Sequence, residues 1–257
     1  MLLECLIIFM MGAVIGSFLN VCIHRIPDGK SIINPPSACP ACGKRIKPWH
    51  NIPVLSYIFL GGKCRYCRAA ISPRYLLVEL LTPCAGILLF LKSGLGYAFF
   101  VQCILAAVLI VIMFIDIKHR IVPDVLSLPG ILVGLLLNAF IWQDCPNFSL
   151  ASLVNSVCGV LAGGASILCM GVLGKFIFKK EAVGGGDVKL MAMIGAFIGG
   201  KLGLLTFFLA PVLGSIAGVY ILLKQKQSEI AYAPYIVGGA FISMLWGERI
   251  TTYLFPC

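Results

Sequence analysis

Charge is scarce in this chain: charged residues make up 12% of its 257 residues, and only ten side chains are acidic. A soluble domain carries far more charge on its surface, so the composition excludes that class of protein. Hydrophobic residues account for 60% of the sequence. The sequence therefore predicts a protein that lies in a lipid bilayer.

Two common hydrolase motifs are also missing. The chain contains neither G-x-S-x-G, which is typical of serine hydrolases, nor H-E-x-x-H, which is typical of zinc proteases. Its three histidines, His24, His50 and His119, form no obvious triad with a serine or a cysteine, although spacing alone leaves such a triad open. Candidate chemistry is therefore sought among the few carboxylates.

Long apolar runs predict an all-α polytopic membrane protein, because a spanning helix needs roughly 20 apolar residues. We expect about eight transmembrane helices. The boundary between the sixth and seventh is the least defined, and its glycines favour a turn over one very long helix. The predicted spans are Leu2–Ile23, Tyr75–Leu91, Leu95–Ile115, Val125–Trp142, Leu150–Gly174, Val188–Gly200, Leu202–Leu223 and Tyr232–Trp246.

The net charge of +10 follows the topology. If the N-terminus lies outside, every Lys and Arg except Lys92, Lys201 and Arg249 falls on the cytoplasmic side. This bias is the positive-inside rule, so we expect no nucleic-acid partner. The first helix lacks a basic region before it, which favours a retained helix over a cleaved signal peptide.

The predicted organisation has three parts. Residues 1–23 form the first transmembrane helix, and residues 75–257 form a helical bundle. Between them lies a polar, basic segment, residues 24–74, which is too long for a passive connector. The positive-inside rule places this insertion in the cytoplasm, between helices one and two.

The insertion holds two C-x-x-C pairs separated by 21 residues, Cys39 with Cys42 and Cys64 with Cys67. Four thiolates complete a tetrahedral zinc site, and a complete protein shell predicts structural zinc. Neighbouring basic side chains favour the thiolate form, while redox-active thiols remain the alternative. The remaining cysteines are predicted to act mostly as small packing residues: Cys5, Cys22, Cys84, Cys103, Cys145, Cys158, Cys169 and Cys257.

Three aspartates fall at the predicted cytoplasmic ends of helices. Asp116 and Asp124 flank the link between helices three and four, and Asp187 follows three glycines at the start of helix six. Two carboxylates that share a site cannot both ionise easily, so one serves as acid and the other as base. Such a pair can direct water at a peptide carbonyl, and the glycines would permit close backbone approach.

Each aspartate also has a purely structural alternative. Asp124 follows a proline and precedes an apolar helix, which is typical of an N-cap. Asp187 could cap its helix in the same way, and Asp116 could pair with Lys118 or Arg120 at the membrane edge. Glu79, within helix two, is expected to bind a polar partner in the bundle, and we assign it no chemistry.

Together these motifs resemble the type IV prepilin peptidases, also called leader peptidase/N-methyltransferases. The resemblance runs along nearly the whole chain, and the order of its elements is specific. It rests on Gly16–Val21 with Arg25 and Pro27, on the two cysteine pairs around Asn51–Tyr57, on Ile71–Tyr75 and Val78–Thr82, on Asp116 with Pro123 and Asp124, and on Gly184–Leu190.

The resemblance implies that Asp116 and Asp187 are catalytic and that Asp124 supports them. It implies a multi-pass enzyme of the bacterial cytoplasmic (inner) membrane that removes the leaders of prepilin and pseudopilin precursors on the cytoplasmic side. The enzyme would then methylate the new N-terminus with S-adenosylmethionine. Since relatives with the cysteine insertion are typically bifunctional, we expect both activities. No glycine-rich nucleotide motif marks the methyl-donor site.

Two other classes of function compete with this interpretation. An ion-coupled transporter would suit intramembrane carboxylates and a helix broken at glycines. Against it, the carboxylates lie at one membrane face, and a zinc module has no obvious role in transport. A membrane-anchored zinc scaffold is the third class, but eight helices far exceed what an anchor needs.

Overall fold

A computed structural model describes residues 1–140, 150–178, 184–225 and 231–254. Within these ranges the regular elements are helices, which confirms the predicted all-α class. A 3₁₀ turn at Pro48–His50 lies between α1 and α2. The helices are α1 Leu2–Arg25, α2 Leu55–Phe59, α3 Pro73–Ser93, α4 Tyr97–His119, α5 Asp124–Phe140, α6 Leu150–Phe178, α7 Gly185–Gln225 and α8 Ala233–Leu254.

Among the described residues, five helices are long and apolar enough to cross a membrane, which confirms a polytopic membrane protein. A sixth apolar helix, Asp124–Ala139, is shorter. The count of eight spans stays a prediction, and the predicted end of the fourth span, Trp142, lies outside the described residues, as do Cys145 and Cys257. The five spans are Leu2–Arg25, Pro73–Ser93, Tyr97–His119, Leu150–Phe176 and Gly185–Gly218.

The chain forms two compact units, Met1–Gly94 and Leu95–Cys257. In the first unit, α1 packs on α3 through small residues. A Cβ added at Gly12 would lie 2.6 Å from the Cα of Pro83, so only glycine permits this approach of the two backbones. The predicted three-part division remains untested.

Glu79 of α3 joins the cysteine-bearing insertion to the helix pair. Its Oε2 accepts a hydrogen bond from the backbone N–H of Val54, at 2.8 Å. Val54 has φ 63°, a conformation that costs a β-branched residue free energy. Glu79 therefore has a partner in the insertion, the Val54 amide, besides the hydroxyl of Ser17 on α1, which is the kind of partner expected among the helices.

The second unit is built around α7, which packs against α5, α6 and α8, while α4 packs mainly on α8. The backbone of α7 leaves the helical conformation at Gly199, with φ 78° and ψ 176°. This break lies where the sequence predicts a turn between two spans. Only glycine adopts such dihedrals readily, so Gly199 sets the position of the break.

Neighbouring side chains satisfy the carbonyl groups that this break releases. The Nδ2 of Asn138 donates to the carbonyl oxygens of Ala196 and Phe197, at 2.7 and 3.2 Å. The hydroxyl of Ser156 also donates to the Ala196 carbonyl. Backbone carbonyl groups that such a break leaves buried in the protein need partners of this kind. Polar residues of α5 and α6 therefore stabilise the broken α7.

The close contact of Gly159 on α6 with Gly195 on α7 can be tested by substitution. A Cβ at Gly159 would overlap the carbonyl group of Gly195, whereas one at Gly164 would lie 3.6 Å from its nearest neighbour. We expect Gly159→Ala to destabilise the fold by about 1–3 kcal/mol through overpacking. Thermal unfolding in detergent should show a lowered midpoint for Gly159→Ala and an unchanged or raised midpoint for Gly164→Ala. Equal midpoints would contradict this packing.

Candidate functional site

Asp116 lies in the last turn of α4 and is buried, with 6% of its surface exposed. Its Oδ2 accepts a hydrogen bond from the backbone N–H of Ala233, at 3.1 Å. Ala233 is the first residue of α8, so the positive end of that helix faces the carboxylate. The charge of Arg120 also acts on Asp116. These two contacts offset part of the cost of burying a charged carboxylate.

Asp187 lies in the first turn of α7, directly after the glycine run. The backbone N–H of Gly184 donates to its carboxylate. The charge of Asp116 acts on Asp187, which places the two carboxylates within electrostatic reach of each other. Two carboxylates that repel each other in this way can share a single proton.

Gly186 explains how the start of α7 comes so near to the link between α4 and α5. A Cβ at Gly186 would lie 2.9 Å from the Cβ of Val122, in that link. By contrast, a Cβ at Gly185 would meet no atom within 4 Å. Any side chain at position 186 would therefore push the Asp187 segment away from the segment that follows Asp116.

Asp124 begins α5 and makes an ion pair with Lys189, its Oδ1 lying 2.7 Å from the ammonium nitrogen. Lys189 lies two residues after Asp187 on α7. Asp124 thus ties the start of α5 to the first turns of α7. Because both partners are partly exposed, we expect the pair to contribute only about 0–1 kcal/mol to stability.

Tyr232 is a third group at the carboxylate pair, and the sequence does not reveal it. Its hydroxyl is buried and has no hydrogen-bond partner among the described residues. The charge of Asp187 acts on this hydroxyl. Tyr232 directly precedes Ala233, whose amide binds Asp116. Its proximity to the pair depends on the packing of α8 against α4 and α7, which leaves no local signal in the sequence.

The four cysteines of the insertion come together in the first unit. Their sulfur atoms, those of Cys39, Cys42, Cys64 and Cys67, lie within 4.8 Å of one another. The sulfurs of Cys39 and Cys67 are 3.8 Å apart. Tetrahedral zinc with Zn–S bonds of about 2.3 Å places its sulfurs about 3.8 Å apart. The spacing therefore fits a four-coordinate metal ion of this size.

The two cysteine pairs have the same local structure. In each, an antiparallel bridge closes a tight turn: Ala38 pairs with Arg45, and Lys63 pairs with Ala70. Backbone N–H groups of Cys67 and Tyr66 lower the pKa of Cys64 to about 6, which favours its thiolate. In Cys67 the backbone N–H of Ala69 is outweighed by burial and by the neighbouring thiols, which raise the pKa to about 11. The sequence attributes thiolate stabilisation to basic side chains, whereas the structure shows that backbone amides supply it for Cys64.

Comparisons with known proteins cover most of the chain. Residues 10–93 match the bacterial peptidase A24 N-terminal domain, and residues 103–219 match the type IV leader peptidase family. A protein of Pseudomonas aeruginosa named prepilin leader peptidase/N-methyltransferase is 36% identical over 95% of this chain and 91% of its own length. A protein of Aeromonas hydrophila with the same name is 32% identical over 96% of this chain and 92% of its own. No solved structure matches.

Proposed function

Because the chain belongs to the type IV leader peptidase family, as its sequence motifs predict, we propose that it is a bifunctional membrane enzyme. It acts as an aspartic endopeptidase on the leaders of prepilins and related pseudopilins, and it then methylates the new N-terminal residue. The similarity to relatives named prepilin leader peptidase/N-methyltransferase along nearly their full length supports both activities. The same similarity disfavours the transporter alternative.

The carboxylate pair supports the peptidase activity. In the proposed mechanism Asp116 and Asp187 hold a water molecule between them and share one proton. The ionised carboxylate takes a proton from this water, and the water oxygen attacks the scissile carbonyl carbon. The protonated carboxylic acid gives its proton to the leaving nitrogen as the tetrahedral intermediate collapses and the C–N bond breaks. Asp124 acts indirectly, because its ion pair with Lys189 positions Asp187.

The proposed topology follows the distribution of charge. We assign eight crossings by counting the segments of α7 on either side of Gly199 as two spans. The chain then lies in the bacterial cytoplasmic membrane with the cysteine module and the carboxylate pair on the cytoplasmic side. A precursor whose leader is cytoplasmic and whose helix begins in the bilayer would present its scissile bond at that face.

The proposed metal is structural zinc bound by all four cysteines. With no ligand position left for water or substrate, the ion would hold the two turns of the insertion together and take no part in hydrolysis. Cys39 and Cys64 are buried between the two turns of the insertion, which limits the access of oxidants to their thiols. That burial favours metal binding over redox-active thiols.

S-adenosylmethionine is the proposed methyl donor and, when bound, supplies the methyl group for the new amine. A groove of about 560 Å³ in the insertion has side chains suited to the adenine and to the carboxylate of S-adenosylmethionine. The ring of Trp49 is exposed, and the Nζ of Lys47 lies over one of its faces, 5.5 Å from the centroid, so the other face can stack on adenine. Arg45 can pair with the donor's carboxylate. We therefore place the donor there, in the unit that carries the cysteines.

The proposal is tested by mass spectrometry of a prepilin-type substrate incubated with membranes that contain this protein, with and without S-adenosylmethionine. We expect a shortened N-terminus in both samples and an added methyl group only with the donor. An uncut substrate in the presence of well-inserted protein would reject the peptidase. Cleavage without methylation at saturating donor would reject the second activity.

The same cleavage assay tests whether the contact of Gly186 with Val122 positions Asp187. Gly186→Ala places a methyl group against Val122 and shifts the Asp187 segment, so we expect kcat/KM for cleavage to fall about 100-fold, as a displacement of about 1 Å can cost. Gly185→Ala is the matched control, because a Cβ there meets open space. Equal rates for the two variants would show that the contact with Val122 does not position the pair.

A further inference from the structure

Tyr232 has a buried hydroxyl that the proposed mechanism leaves without a role. The hydroxyl oxygen is shielded from solvent and has no hydrogen-bond partner within the described ranges. Leaving a buried hydroxyl unpaired costs about 1–3 kcal/mol, so a fold ordinarily pairs such a group or replaces it with an apolar one. An unpaired donor within electrostatic reach of the Asp187 carboxylate is the pattern expected of a group that awaits a substrate.

The position of this hydroxyl is fixed from two sides. On the backbone, the next residue, Ala233, is fully buried and donates its N–H to Asp116. On the side chain, the ring of Tyr232 lies 6.5 Å from the ring of Tyr235, one turn along α8. Gly214 of α7 lies beneath the same rings, since a Cβ there would be 3.7 Å from Tyr232. The hydroxyl is thus held at the start of α8, within electrostatic reach of Asp187.

We infer that the Tyr232 hydroxyl is a catalytic hydrogen-bond donor that binds the oxygen of the scissile carbonyl and the oxyanion that forms when water attacks it. This inference rests on the proposed peptidase function and adds a third participant to it. A tyrosine hydroxyl keeps its proton at neutral pH and can donate without being consumed.

Tyr232 changes neither the bonds that form and break during hydrolysis nor the protons that are transferred. One carboxylate removes a proton from water, the new C–O bond forms, and the carbonyl electrons move onto the oxygen bound by Tyr232. When the intermediate collapses, the C–N bond breaks and the leaving amine receives a proton from the carboxylate pair. Tyr232 keeps its own proton throughout and contributes by stabilising charge that develops only in the transition state.

The test compares Tyr232→Phe with Tyr235→Phe in the full-length protein, using one prepilin-type substrate. For Tyr232→Phe we expect kcat to fall by about 100- to 1000-fold with KM within about threefold of wild type, as for loss of one oxyanion donor. Tyr235→Phe removes the neighbouring hydroxyl of the same helix and should cleave at nearly the wild-type rate.

Thermal unfolding separates this role from a structural one. Removing an unpaired buried hydroxyl should leave the unfolding midpoint of Tyr232→Phe unchanged or raise it, even though kcat falls. An unchanged kcat would overturn the inference, and so would a midpoint that falls together with kcat. Failure of the wild-type protein to cleave would instead reject the proposed function itself, so the two failures are distinguishable.

Discussion

Asp187→Asn should lower kcat/KM for leader cleavage by at least about a thousandfold. Asparagine has nearly the shape of aspartate but can neither hold an ionised charge nor exchange a proton with water at neutral pH. General acid–base catalysis contributes about 10²–10⁴ in rate for each group, and a paired carboxylate is expected near the upper end. The rate of substrate cleavage in detergent or in membranes measures this loss.

The variant should still fold, because the substitution relieves repulsion between the buried Asp116 and the half-buried Asp187. We expect Asp187→Asn to insert into the membrane, retain its metal and unfold at or above the wild-type midpoint. Glu248→Gln is the matched control, since Glu248 is an exposed acid on α8. Nearly full cleavage by Asp187→Asn would remove this residue from the mechanism, whereas loss of membrane insertion would point to a structural role.

Cys39→Ser should remove the metal and abolish methylation while cleavage continues. Cys39 is buried, and its sulfur lies 3.8 Å from that of Cys67, so the remaining three thiolates cannot close the shell. Binding of structural zinc is worth about 10–16 kcal/mol in small zinc domains, so its loss should unfold the insertion. The carboxylate pair consists of residues from the second unit, so we expect peptidase activity within about tenfold of wild type.

Metal content per chain and the mass of the processed N-terminus measure the two outcomes separately. Cys84→Ser is the matched control, because Cys84 is exposed on α3 in the same unit. We expect this control to bind one metal ion and to methylate normally. Full metal content in Cys39→Ser would contradict the four-cysteine site, and unimpaired methylation without metal would separate the insertion from the second activity.

Composition and periodicity sufficed to predict the class of the fold. Apolar runs predicted the spanning helices, and Gly199 with Gly200 predicted the break in α7, because a glycine pair inside an apolar run favours a turn over a continuous helix. The partners of that break were not predictable. In the sequence Asn138 and Ser156 are isolated polar residues, and only the folded chain brings them to the freed carbonyls.

The sequence alone identifies those residues of the candidate site that belong to a type rare in apolar segments. Asp116 and Asp187 attract notice because ionisable groups at membrane depth are few. The contacts that bring them together are not local: Gly186 must meet Val122, and the amide of Ala233 must meet Asp116. Their catalytic role stays a proposal, which the proximity of the two carboxylates supports.

The measurement that tests the central claim most directly is cleavage of one prepilin-type substrate by the wild type, Asp116→Asn, Asp187→Asn and the double variant, at equal folded concentration. Residues that act as one catalytic unit are non-additive, so removing either costs about as much as removing both. We predict the same residual rate for all three variants, at least about a thousandfold below wild type. Losses that multiply in the double variant, or substantial cleavage by either single variant, would contradict a shared carboxylate pair.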